Sequence, residues 1–228
     1  MKSDIKTLRT FINNFSKYIL GHKMNCSKYY VNDLTGEVEK LRVIFILESP
    51  YSDEVIHRHP VAGSSGLSMS SFLHEIYDDI DPNVPLGCQI SNRNISNIGI
   101  INCSRFPLDK SVYGCNDILD SFPTTSFDFI RINPKAKSRR GQLIERTHRH
   151  LLNKFISRVN KIVSLNSSVL FVPCGELARN FLEECRVTHK NAYLKKVPHP
   201  SRNQWSKTEN FEEFETFIEL IEKKLNQS

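Results

Sequence analysis

Apolar residues recur at three- and four-residue steps at Ile5, Leu8, Ile12, Phe15 and Ile19, which predicts an amphipathic helix closed near Gly21. Residues 28 to 40 place Tyr29, Tyr30 and Val31 before Asn32-Asp33-Leu34-Thr35-Gly36, the pattern of a strand and a turn. Four short runs follow: Val43 to Leu47, Ile98 to Ile101, Val169 to Val172, and Tyr193 to Val197. The first three are continuous and branched, as strands covered on both faces must be. The fourth carries Lys195 and Lys196 and belongs nearer an edge.

Between the runs the period becomes helical. Leu67, Phe72, Leu73 and Ile76 fit one helix, and the set from Leu151 through Phe155 and Val159 to Val163 fits a longer one. Leu177, Ala178, Phe181 and Leu182 give a third, and Phe211, Phe214, Ile218, Ile221 and Leu225 a fourth. Strands alternating with helices pair in parallel through crossovers. The expected architecture is therefore a three-layer α/β/α domain spanning residues 1–228 around a mainly parallel four-stranded sheet. Residues 1–40 form its N-terminal helix and turn. Residues 104–141 resist the scheme; they are rich in Pro and Ser, basic towards the end, and read as a functional loop or insertion.

Composition supports a folded chain: at 228 residues with 39% hydrophobic residues there is material for a substantial core. The longest apolar run, Val43 to Leu47, is far short of the roughly 20 residues of a membrane helix. With no targeting pattern at the N-terminus, the expectation is a cytoplasmic protein without a membrane partner, and a monomer. The cysteines at 26, 88, 103, 115, 174 and 185 form no C-x-x-C pair, so reduced thiols and no metal are expected. His57-x-His59 and His148-x-His150 invite a metal reading, but the second pair starts a helix, where residues two apart point away from each other.

The net charge of +6 is unevenly placed. Arg131, Lys135, Lys137, Arg139, Arg140, Arg146 and Arg149 face one acid, Glu145, whereas residues 209–222 are predominantly acidic. A basic segment of this kind is either a solvated face or a surface for a polyanion such as nucleic acid.

Chemistry is expected where the strands end, because in open α/β sheets the loops converge there. The four runs are followed by Glu48-Ser49-Pro50-Tyr51, Asn102-Cys103-Ser104, Pro173-Cys174-Gly175-Glu176 and Pro198-His199-Pro200-Ser201. Glu48, Asn102 and His199 supply an acceptor, an amide with both functions, and a group able to give or take a proton. That set suits a polar planar ligand and stabilisation of a leaving group. Two of them also have plainer roles: Glu48 capping a helix or pairing with Arg58, and Asn102 bonding local backbone.

These residues resemble a known family. Leu47-Glu48-Ser49-Pro50-Tyr51 and His199-Pro200-Ser201 look like the two signature motifs of the uracil-DNA glycosylase superfamily, and Ile98 to Asn102 resembles the strand ending in its base-reading asparagine. Pro60-Val61-Ala62-Gly63-Ser64-Ser65-Gly66-Leu67 is similar to the segment after the first motif in the iron-sulfur branch, where Glu54 falls at an acid. Cys174-Gly175-Glu176-Leu177-Ala178 looks like the family's glycine-led helix start. The likeness spans roughly residues 41 to 225 by order and spacing.

The resemblance implies base flipping in DNA followed by hydrolysis of the N-glycosidic bond. In that picture His199 bonds the departing base, and Asn102 reads its edge. The acid role falls to Glu48, to Glu54 or to no residue, since Ser49 stands where the best-known branch has aspartate. Ser49, Tyr51 and Met69 complete the base contacts, with Met69 or Val61 at the position of the missing stacking aromatic. Pro50, Pro200 and Ser201 belong to turns on the DNA backbone, and Arg202 or Trp205 replaces the apolar wedge, unless Trp205 is simply packed. Without a close cysteine pair no iron-sulfur cluster, and no other cofactor, is expected. Two alternatives stay open: an inert nucleic-acid-binding module of the same fold, and a hydrolase of free nucleosides or nucleotides.

Overall fold

A computed structural model of the chain describes residues 28–113, 124–133, 142–185, 187, 191–205 and 211–226. The helix expected over Ile5 to Ile19 and the basic residues Lys135, Lys137, Arg139 and Arg140 lie outside these. Strands β1 (Val43–Leu47), β2 (Ile98–Asn102) and β3 (Leu170–Pro173) are buried along their whole length. They pair in parallel in the order β2-β1-β3, with Val43 level with both Ile98 and Leu170.

Continuous apolar strands result because helices cover both faces. Helices α1 (Ser52–His57), α2 (Ser64–His74) and α3 (Leu86–Ser91) follow β1; α4 (Thr124–Ile132) and α5 (Gln142–Leu165) follow β2; α6 (Glu176–Glu183) and α7 (Phe211–Leu225) follow β3. Alternate β1 residues enter two separate cores. Ile44 and Ile46 pack with Phe127 of α4, Phe155 and Val159 of α5, and Phe181 of α6. Val43, Phe45 and Leu47 pack with Met69 and Leu73 of α2, Leu86 of α3, and Phe217 and Ile221 of α7. The result is the expected three layers. No helix among the described residues is long and apolar enough to cross a membrane.

This arrangement fixes where a cleft opens. From β1 the chain passes to α2 and α3 on one face, whereas from β3 it passes to α6 on the other. β2 likewise passes to the far face through α4 and α5, so the loops part on both sides of the end of β1, and on the β3 side this opens the space between the ends of β1 and β3.

Three expectations change. The fourth run is no continuous strand: it meets β3 only through the parallel bridges Phe171↔Ala192 and Cys174↔Val197. Three steps along β3 answer five along this run, so two extra residues are looped out and the ladder breaks. The turn region at 28–40 makes one antiparallel bridge, Leu34↔Ile100, rather than a strand. Inside the segment expected to be a loop, Phe127 and Ile130 bury one side of α4, a stripe too short to stand out in the sequence.

Candidate active site

Glu48 follows β1 directly, Asn102 ends β2 level with Leu47, and Gly175 lies just beyond the end of β3. The bridge Cys174↔Val197 and the hydrogen bond from Gly175 N to Val197 O (2.8 Å) bring His199 to the same rim. Gly175 has φ +94° and ψ 168°, a conformation open essentially to glycine alone. A β-carbon placed on it would stand 3.4 Å from Glu48 Oε1 and 3.4 Å from His199 Cβ. Carboxylate and imidazole thus sit beside each other at the β1–β3 crevice.

Their electrostatics differ from those of free side chains. Burial raises the Glu48 pKa, and the positive charge of Arg131 opposes the rise. Burial lowers that of His199 to about 4, so the ring is neutral at physiological pH. Its Nδ1 lies 3.2 Å from the amide of Ser201 and accepts that hydrogen bond. The neutral proton is therefore assigned to Nε2, which becomes a donor.

Asn102 is 1% exposed, and neither its Oδ1 nor its Nδ2 has a hydrogen-bond partner among the described residues. Leaving buried polar atoms unbonded costs about 1–3 kcal/mol each. Alternation along β2 turns this side chain to the face that carries Leu47 and α2. Its backbone is held firmly: Arg158 Nη2 donates to Asn102 O (2.7 Å) and Cys103 O (3.0 Å), and the Asn102 amide approaches Asp33 Oδ1 (3.4 Å). Asp33 in turn accepts from Arg158 Nη1 (2.7 Å) and from Arg105 Nη2 (2.6 Å), while Arg105 Nη1 reaches Tyr30 Oη (2.5 Å). Sequence reasoning misses this support, since Asp33 and Arg158 are 125 positions apart and no local pattern links them.

Glu54 has another task. Its carboxylate accepts from Tyr51 N (2.6 Å) and Val61 N (2.5 Å), closing the loop that runs from β1 to α2. Burial pushes its pKa up to about 7, against the pull of these two amides. Val61 is held at φ +47°, rare for a branched residue, and a β-carbon on Gly66 would stand only 1.9 Å from its carbonyl oxygen. The Gly-Ser-Ser-Gly segment is thus explained by close packing. With both oxygens engaged by backbone amides, Glu54 clamps this loop.

Other expected site residues divide. Ser49 Oγ accepts from Leu108 N (3.1 Å) and so ties down the loop after β2. Tyr51 is 55% exposed, whereas Met69 is wholly buried and belongs to the core. Trp205 is 1% exposed, stacks edge-on to Phe72 and donates Nε1 to Pro198 O (2.8 Å), so it packs in the core. Pro50 and Pro200 are buried and shape their turns; Ser201 is half-buried and Arg202, at φ +56°, is exposed. Arg131 pairs with Asp128 (3.0 Å) and Asp109 (3.4 Å). Glu48 and His199 are brought together, with Asn102 on the same rim one strand away. No protein-family model matches the chain, and no curated protein matches it.

Proposed function

We propose that the protein is a DNA glycosylase of the uracil-DNA glycosylase type, which draws a uracil or another modified base out of DNA and hydrolyses its N-glycosidic bond. The observation that carries this reading is the buried, unbonded amide of Asn102 on the rim where a neutral histidine meets a carboxylate. An amide offers one acceptor and two donors in a plane, which matches the edge of a nucleobase. Its unmet hydrogen bonds are made when the extruded base arrives.

The bond between C1′ and the base nitrogen breaks with its electron pair moving onto the base. His199 Nε2–H donates to the oxygen on which negative charge grows, and a neutral donor serves without surrendering its proton. Glu48 faces the sugar, where its negative charge supports the oxocarbenium-like centre; it takes a proton from the water that adds to C1′. The proton taken by Glu48 passes through solvent to the base anion, so neutral free base and an abasic sugar leave and Glu48 is again a carboxylate. Asp33, Arg105 and Arg158 position the end of β2 from beneath.

The test is incubation with single- and double-stranded DNA carrying uracil, hypoxanthine or a bulky modified pyrimidine, followed by alkaline cleavage at abasic sites. Strand scission that disappears in His199→Ala and Glu48→Ala is the expected result. Binding without scission across the panel favours an inert module instead.

A further inference from the structure

Two cations that the sequence assigns only to a sheet edge border the site. Between the bridges Phe171↔Ala192 and Cys174↔Val197 the chain loops out two extra residues, and Lys195 and Lys196 in this stretch are exposed. They line a cleft of about 320 Å³ together with Gly175, Glu176, Arg179 and Pro198. Arg179 stands one turn into α6, its amide bonded to Gly175 O (3.1 Å).

Two features give this cleft a direction. Gly175 is shared: the position of its absent β-carbon faces Glu48 and His199, and the residue also forms the cleft wall. Pro198 in the same wall immediately precedes His199. A group in the cleft therefore neighbours whatever occupies the β1–β3 crevice. The named lining carries three positive side chains against one carboxylate, Glu176, so it attracts an anion. A guanidinium fork and two mobile ammonium groups suit the tetrahedral oxygens of a phosphate. Of the cations expected to fill this role, Arg131 pairs with Asp109 and Asp128 and Arg149 with Glu145, whereas Arg146 is exposed on α5.

We propose that the cleft between α6 and the looped-out Lys195-Lys196 segment is a phosphate-binding subsite, which holds the phosphate next to the nucleotide in the site. This rests on the nucleic-acid reading above, but its test does not depend on chemistry. An internal phosphodiester and the terminal phosphate of a mononucleotide offer the same oxygens, and the two arms of the experiment separate them.

In the first arm, a fluorescent single-stranded oligonucleotide of undamaged bases is titrated by anisotropy at several salt concentrations. Lys195→Gln with Lys196→Gln is expected to weaken binding about tenfold and to reduce the slope of log K against log salt by about 0.7 for each phosphate no longer neutralised. Arg179→Gln weakens it further, while Lys161→Gln with Lys223→Gln, exposed and outside the cleft, stays within about twofold of wild type. In the second arm, a nucleoside 5′-monophosphate competes for the protein. Displacement by the mononucleotide in wild type and not in the double variant assigns the subsite to a terminal phosphate; lack of displacement, with affinity reduced in the first arm, assigns it to a phosphodiester.

The proposal is overturned if Lys195→Gln with Lys196→Gln binds both probes with the affinity and salt slope of wild type. Weaker binding by the variants with no base release from any substrate keeps the subsite and removes the glycosylase. Base release with unchanged binding in the variants does the reverse.

Discussion

Glu48 Oε1 and the Cβ of His199 each lie 3.4 Å from the point where Gly175 would carry a side chain. The pair is joined by a residue whose backbone at φ +94° excludes other amino acids, so one position controls both conformation and spacing. Gly175→Ala is expected to lower stability by about 1–3 kcal/mol from backbone strain. It also places a methyl group between carboxylate and imidazole and slows base release. Urea unfolding and single-turnover kinetics measure the two effects; a variant unchanged in both contradicts this arrangement.

His199 contributes to the pH dependence of stability with a definite sign. Its folded pKa of about 4 lies below the ordinary 6.5, so between these values the unfolded chain binds more protons. Stability from this residue is complete above pH 6.5 and is lost as pH falls through 4. His199→Asn should therefore lose less stability than wild type between pH 6.5 and pH 4.5, by roughly 1–3 kcal/mol. Parallel curves for the two proteins would show that the ring is not buried neutral.

Asp33 is the anion that balances Arg105 and Arg158 beneath the end of β2, with its side chain 5% exposed. Removing one partner of a buried ion pair strands the others, at a cost of about 3–5 kcal/mol. Asp33→Ala is expected to fall in this range by urea denaturation. A loss under about 0.5 kcal/mol, the scale of a surface pair, contradicts the network.

Trp205 separates packing from DNA contact. Enclosed by Phe45, Phe72 and Phe217, it should cost about 3–5 kcal/mol when cut to alanine. Trp205→Phe, which keeps an aromatic ring, should bind duplex DNA as wild type does. Weakened binding in a fully folded Trp205→Phe protein points instead to a wedge.

The three strands were legible because residues buried on both faces must be apolar without interruption, as Val43 to Leu47 are. The break in the fourth run was not, since it arises from a mismatch in length against β3 that one strand cannot reveal. Glu48, Asn102 and His199 could be proposed from their places after the runs, because strand ends gather at one rim. The clamp of Asp33 on Arg158 depends on pairing across 125 residues, and no periodicity encodes that. Glu54 illustrates a further limit. A carboxylate at the place of an acid in the resembled family reads as chemistry, yet only coordinates reveal that two backbone amides occupy it.

The central claim is that a base leaves DNA through the joint action of Asn102, His199 and Glu48. Its most direct test is chromatographic detection of the free base under single-turnover conditions, on the best substrate of the panel, for wild type, His199→Ala and Asn102→Ala. The account predicts released base with wild type and a rate at least about 100-fold lower in each variant. Release at the wild-type rate from His199→Ala or Asn102→Ala would contradict it.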